Sequence, residues 1–273
     1  RPYCSVSAMR LIHCACGDAP VIPGAQRFDL PQHPSQRDLK FLADIAREVL
    51  PEDPTPSLDE IQASPNVSHL GEPAIAPQRP AEPVRVVVSG DDHALGLVLT
   101  RLMRADVMWV EVGYVPVDTQ SPAAVLWGAG PVELAVEGAV RPAPCIRTDF
   151  GEVVAGSAEL MRGGGERPFV GEVVVDSAVL VPGDGDFGAR LVPTVDAPGL
   201  AATPVTTPFV PSRRLLRRVP VARTDASRVL SGRALQSGGE DIAVRIDAHL
   251  RPRTVNRVTF YRHLRDIQSV RGA

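Results

Sequence analysis

The sequence predicts an α/β protein in two parts, an N-terminal parallel α/β region followed by a mostly antiparallel β region. Three observations predict it. Residues 84–88 form a near-continuous apolar run of the kind found in strands buried on both faces of a parallel sheet. A stretch with apolar groups at helical spacing and a second strand-like run follow directly. From about Pro144 the apolar period changes to two and Gly-rich turns multiply. A chain of 273 residues is long enough to bury one large core or two modest ones.

Taken in order, residues 11–16 read as a short strand and 17–34 as loop. Ser35, with Asp38 three residues on, gives a capping-box-like start. Leu39, Leu42, Ile45, Ala46 and Val49 then recur at helical spacing until Pro51 stops the helix. Pro51, Pro54, Pro56, Pro65, Pro73, Pro77, Pro80 and Pro83 make 51–83 a linker or an irregular wrap-around arm. After the strand at 84–88, Leu95, Val98, Leu99, Leu102 and Met103 share one helical face. Residues 109–115 give the next strand. Ser121 suits an N-cap, Pro122 the first helical position and Gly128 the C-terminal stop. Strand–helix–strand–helix implies parallel strands and right-handed crossovers.

Beyond this, strands are expected at 145–148, 152–155, 169–175, 179–181, 189–193, 228–234, 242–246 and 255–260. Turns are expected at 149–151, 163–165, 183–185 and 238–239. The expected division is an α/β strand and helix at 1–50, the arm at 51–83, a nucleotide-binding-like region at 84–140, a β-rich domain at 141–260 and a tail at 261–273.

Composition narrows the function classes. A net charge of −3 and a pI near 6.1 give no overall electrostatic footprint for nucleic acid. Lys40 is the single Lys, which with abundant Ala, Val, Gly and Pro reflects a high-GC genome rather than a function. There is no run of eighteen apolar residues, so no transmembrane helix is expected. The N-terminus lacks the apolar core of a secretory signal, and Met9 suits a natural start. Cys4, Cys14, Cys16 and Cys145 fit a reduced, cytoplasmic protein. His13-Cys14-Ala15-Cys16 contains zinc-ligand residue types at the wrong spacing, and inert buried Cys on a strand accounts for them better.

The chemistry concentrates where strands hand over to loops. Ser89-Gly90-Asp91-Asp92-His93 joins the strand at 84–88 to a helix, where backbone N–H groups and the helix dipole favour a phosphate. Gly90 would let the backbone approach it closely, and Mg²⁺ between the two carboxylates would offset their repulsion. The plainer alternative has Asp92 capping the helix and Asp91 on the surface. Val115-Pro116-Val117-Asp118-Thr119 ends the next strand and faces the same edge, where open α/β sheets build ligand sites. Asp149-Phe150-Gly151 reads as a hairpin turn, since the partner motifs of a protein kinase are missing. Gly183-Asp184-Gly185-Asp186 reads as a turn without the Glu of a Ca²⁺ loop. Arg213-Arg214-Leu215-Leu216-Arg217-Arg218 suits a lipid headgroup, a membrane surface, an acidic partner or a solvated loop. The Arg- and aromatic-bearing tail at 257–265 suits docking onto the core better than RNA contact.

In order and spacing these motifs resemble the diacylglycerol kinase and NAD kinase superfamily over roughly residues 84–260. Those kinases carry Gly-Gly-Asp-Gly-Thr after the first of these strands, where this chain has Ser89-Gly90-Asp91-Asp92-His93. Their Pro-Leu-Gly-Thr-x-Asn-Asp-Phe-Ala corresponds to Pro116-Val117-Asp118-Thr119-Gln120-Ser121-Pro122-Ala123-Ala124. Asp149-Phe150-Gly151 matches the Asp-x-Gly turn of the lipid kinases, and Val244-Arg245-Ile246-Asp247-Ala248-His249 stands at their Val-x-Val-Asp-Gly-Glu.

The resemblance implies ATP-dependent phosphotransfer to a lipid-like or nucleoside hydroxyl. In it Asp91 orients Mg²⁺ and Gly90 admits the phosphates. Asp92, His93, Pro116 and Thr119 lie in the nucleotide loops, while Asp247 and His249 handle the acceptor proton. The departures fall on these same residues: Asp92, His93, Asp118, Ser121 and His249 replace the family's Gly, Thr, Gly, Asn and acid. An added Asp beside a triphosphate is costly, so Asp92→Gly with Asp118→Gly is expected to improve ATP binding. The alternative is a non-catalytic relative that senses a ligand or binds a protein. A homodimer fits either reading. Both predict Asp91 and Asp92 at the strand-end edge, facing 118–119 and near 247–249.

Overall fold

The computed structural model describes residues 9–64, 71–183, 185–209 and 222–272. Strands β1 (Arg10–Cys16), β2 (Gln26–Leu30), β3 (Val84–Gly90), β4 (Glu111–Pro116) and β15 (Gln268–Val270) form one sheet in the order β15-β4-β3-β1-β2. Every pair in it is parallel. All seven residues of β3 are buried, as its unbroken apolar run predicts. Val84, Val86 and Val88 pack with helices α1 (Lys40–Val49), α3 (Asp92–Arg104) and α4 (Pro122–Trp127), whereas Val87 joins Val115 and Ala135 on the other face. Ala135 belongs to α5 (Val132–Glu137), which crosses β4 so closely that a β-carbon on Gly113 would stand 2.3 Å from the Ala135 carbonyl oxygen.

The expected caps are present. Ser121 accepts from the Ala124 N–H, Pro122 opens α4, and Gly128 closes it at φ 54°. Ser35 and Asp38 exchange hydrogen bonds one turn before α1 begins. The arm contains one short helix, α2 (Leu58–Ala63), held by a capping box between Ser57 and Glu60. Further on, the arm is tied to the last strand: Ala74 N–H donates to Asp266, and Ala76 N–H to Gln268.

The other sheet is antiparallel throughout. It contains β5 (Ile146–Thr148), β6 (Ala158–Arg162), β7 (Gly171–Val175), β8 (Ala178–Val181), β9 (Gly188–Pro193), β10 (Leu200–Val205), β11 (Leu230–Gly232), β12 (Ala234–Ile246), β13 (His249–Leu250) and β14 (Val255–Arg262). Its core runs through Leu160, Phe169, Leu191, Leu200, Leu235, Val244 and Phe260. The long strand β12 pairs with β7 and β14 in its first half and with β6 in its second.

Several local expectations change. Residues 17–34 are not all loop, because β2 lies within them. Gly238 and Gly239 make no turn; β12 runs through them and bulges before Ile242. Their backbone passes so close to β7 that a β-carbon on Gly239 would meet the Val170 carbonyl at 2.2 Å. Close passage explains Gly239, whereas a β-carbon on Gly238 would meet nothing within 4 Å. The segment 152–155 forms only a bridge, Arg147 to Val153, whereas β6, β10 and β15 arise where no strand was expected. The C-terminal stretch adds the fifth parallel strand. The 149–151 turn is present, with Gly151 at φ 80° and donating to the Thr148 carbonyl. Asp184 and the Arg213–218 cluster lie outside the described residues. Among the described residues, no helix is long and apolar enough to cross a membrane.

Candidate functional site

The cleft begins where β3 ends. Gly90 is buried, and a β-carbon there would lie 3.0 Å from that of Ala94 and 3.1 Å from that of Cys16. The packing of β1 against α3 therefore favours glycine here, independently of any ligand. Its carbonyl accepts from the Val117 N–H at 3.0 Å, which fixes the start of the second loop, and Pro116 stands beside it in register.

Adjacent aspartates diverge at this point. Asp91 is the N-cap of α3 and accepts from the Ala94 N–H at 2.9 Å. Its other oxygen bonds His33 Nε2 at 2.8 Å and Gln32 Nε2 at 3.3 Å. Burial opposes ionisation of Asp91, yet the bonds from His33, Ala94 and Gln32 outweigh it and hold its pKa below the ordinary value. Asp92 points inward and is only 7% exposed. It accepts from the Tyr114 hydroxyl at 2.9 Å, the Ser121 hydroxyl at 2.6 Å and the Ala123 N–H at 2.9 Å. The plainer sequence alternative thus fails, since Asp91 rather than Asp92 caps the helix and Asp92 is buried, and Asp92 is not a charge facing an incoming phosphate. It fastens the start of α3 to the start of α4.

Asp247 behaves similarly. Asp247 and Ala248, at φ 48° and 64°, form the two-residue turn between β12 and β13. Non-glycine residues enter this region at a steric cost, and a hydrogen-bond network fixes the turn. The Asp247 carboxylate accepts the N–H groups of Ala155, Gly156 and Ser157 at 2.9, 2.8 and 3.0 Å. Burial pushes its pKa up to about 7 against those three bonds, and nearby Asp92 adds to the rise. Helix α3 closes over it, since a β-carbon on Gly96 would stand 2.8 Å from its Oδ2. The carboxylate that resemblance makes a proton handler spends its lone pairs on backbone amides.

What remains open to the cleft is imidazole. The His93 and His249 rings stack at 4.3 Å, only 9° from parallel. His33 meets His93 edge-on at 4.9 Å and lies 6.1 Å from His249. Burial and the neighbouring His249 and His33 lower the His93 pKa to about 4, while Asp91 pulls the other way. His33 and His249 are exposed and His93 is partly buried.

The structure therefore unites Asp91, His93 and His249, and places Asp92 and Asp247 on either side of the 155–157 segment. Thr119 is exposed on the second loop, where the Asp118 side chain accepts from the Gln120 N–H. The sequence reading missed His33. A usable signal existed, because the loop after any parallel strand points to the carboxyl edge of the sheet, but the strand itself had gone unrecognised. Among the described residues, no three His, Cys, Asp or Glu side chains already converge as ligands of one ion. A cavity of about 960 Å³ lies away from this cleft, lined by Met108, Trp109, Ile61, Ile75 and Arg265 among others. None of the predicted site residues lines it.

No protein-family model matches this chain, and no curated protein matches it significantly. Similar solved structures include a diacylglycerol kinase from Bacillus anthracis, 10% identical over 69% of this chain and 78% of that one, with a TM-score of 0.49. An NAD kinase from Archaeoglobus fulgidus in complex with ATP is 13% identical, covering 83% and 87%, with a TM-score of 0.43. A yeast NADH kinase complexed with NADH is 11% identical, covering 98% and 85%, with a TM-score of 0.39. They belong to the superfamily that the order of motifs resembles. Similarity at this level concerns the arrangement of elements, and the fold assignment rests on the strand order and pairing described above.

Proposed function

We propose that the cleft between the carboxyl edge of the parallel sheet and the β12–β13 turn is a phosphotransfer site, taking ATP and a lipid-like or nucleoside hydroxyl. The observation that carries this reading is the meeting of His93 and His249, from motifs far apart in sequence, at 4.3 Å. Imidazole is a competent general base near neutral pH, and His249 is the exposed group where the resembling lipid kinases carry an acid. Asp247 holds the turn that presents His249 and takes no proton from the acceptor. Thr119 and the loop after Pro116 would meet the nucleotide.

The residues do not fit a protein-held Mg²⁺. Magnesium requires oxygen ligands in near-octahedral geometry, whereas Asp92 and Asp247 are turned to hydroxyl and backbone donors and Asp91 is bonded to His33, Gln32 and Ala94. The reading therefore gives Mg²⁺ no step of its own. The same inward-turned carboxylates favour a second reading, a non-catalytic relative that keeps the cleft for a ligand or a protein.

Calorimetry with Mg-ATP, followed by transfer from labelled ATP to diacylglycerol vesicles or NAD, tests both. The first reading expects nucleotide binding, phosphorylated product and a loss of about 10²–10³-fold in transfer for His249→Gln. Binding without transfer selects the second reading, and neither binding nor transfer removes the first.

A further inference from the structure

Two guanidinium groups meet over the 148–151 turn. Arg104 ends α3 and Arg147 lies in β5, so one comes from each part of the fold. Each is pinned through Nε to a carbonyl of that turn, Arg104 to Gly151 at 3.1 Å and Arg147 to Thr148 at 3.3 Å. Their Nη2 atoms stand 3.7 and 3.9 Å from the point that a β-carbon on Gly151 would occupy, so the unbonded edges of both groups approach the same space. Among the described residues neither arginine has an ion-pair partner. Local structure accounts for each of them singly: a cation suits the last turn of a helix, and Arg147 lies over the Tyr261 ring at 5.2 Å. It does not account for two like charges brought together, which repel unless an anion stands between them.

We propose that the cavity beside these arginines, about 420 Å³ in volume, binds a phosphomonoester that carries an apolar body. Guanidinium N–H groups match phosphate oxygens in both charge and geometry. The same cavity is lined by Leu58 from the arm, Met103 from α3 and Phe150 from the turn, which give the organic part of the ligand an apolar wall. Asp149 also lines it, exposed and paired with neither arginine. A carboxylate there opposes a second phosphate, which selects a monoester over a di- or triphosphate. The thirteen residues of α3, about 20 Å of helix, separate this site from the histidine-lined cleft at the helix's other end.

The site stands independently of phosphotransfer, and its test contains no nucleotide. Hexyl phosphate is titrated by calorimetry, with inorganic phosphate as the comparison. One equivalent of the ester should bind, more tightly than inorganic phosphate and more weakly as NaCl rises. Arg104 is exposed, so Arg104→Gln should keep the thermal midpoint and weaken binding at least tenfold. Arg147→Lys keeps the charge but loses the planar fork, and should weaken binding as well. Asp149→Asn should strengthen it. Arg257→Gln, which removes an exposed arginine elsewhere, should leave it unchanged. Sedimentation with phosphatidate vesicles separates the two sources of such a group: uptake of the ester alone assigns the site to free organic phosphates, and uptake of the vesicles, with or without the ester, to a lipid headgroup. Uptake of neither overturns the proposal. So do ester binding no tighter than that of inorganic phosphate, binding unchanged in Arg104→Gln, and an equal fall in Arg257→Gln.

Discussion

Asp92 is the residue whose role the sequence alone most misstates. Beside a phosphate loop it reads as repulsive charge, and removing it reads as a gain. In the fold its two oxygens satisfy the hydroxyls of Tyr114 and Ser121 and the Ala123 N–H. Tyr114 is itself buried, and loss of Asp92 leaves its hydroxyl only the longer contact to the Gly90 carbonyl at 3.3 Å. Asp92→Ala is therefore expected to cost about 2–4 kcal/mol of stability, read as a lower urea midpoint with an unchanged slope. An Asp92→Ala protein as stable as wild type would mean that the three bonds contribute nothing net. By the same logic, Asp92→Gly with Asp118→Gly is expected to lose stability at position 92 whatever it does to ATP binding. Asp118 differs, being exposed and bonded within its own loop.

At the scale of elements, β1 makes the sharpest case. It lies between β2 and β3, and its last five residues are buried, His13 among them. His13 Nε2 meets the Ser89 hydroxyl at 2.8 Å, and Nδ1 has no partner. Burial chiefly, with Arg27 adding to it, lowers its pKa from 6.5 to about 4. The sign follows from proton uptake: between those values the unfolded chain takes a proton and the folded chain does not. The stability involved is complete above pH 6.5 and is lost as pH falls toward 4, by at most about 3 kcal/mol. Urea unfolding at pH 7, 5.5 and 4.5 should show a smaller loss for His13→Gln than for wild type. Equal losses would remove His13 as the cause. Periodicity foresaw β1, β3, α3 and β4 because each is buried along a repeating face. β2 escaped because Gln26-Arg27-Phe28-Asp29-Leu30 lies at the sheet edge and is mostly exposed. Its one clear anchor, Phe28 stacked on Phe41 at 3.8 Å, is a tertiary contact.

Across the whole molecule, the two sheets are joined through the 153–157 segment. Val153 N–H bonds the Thr100 hydroxyl on α3, and the next amides bond Asp247 from the far end of β12. Gly96 and Gly156 allow this approach, since side chains there would strike Asp247 and Asp92. Asp247→Ala strands two buried amides and one partly buried amide. Amide exchange at Ala155, Gly156 and Ser157 should then accelerate about 100-fold or more, while β3 exchanges as in wild type. Unchanged protection at those amides would show that Asp247 is not the latch.

Sequence alone determined the two-part architecture, the parallel unit around β3 and β4, the α4 caps and the sheet edge at which the loops after β3 and β4 lie. Those features are written in local periodicity, in turn residues and in the rule that parallel strands end on one side. Tertiary structure decided which polar groups face that edge. Asp92 and Asp247 turn inward because buried donors of the same fold need acceptors, and no motif encodes that need. His33, His93 and His249 meet only because β2, β3 and β12 end at one place, and spacing along the chain cannot express a distance across it.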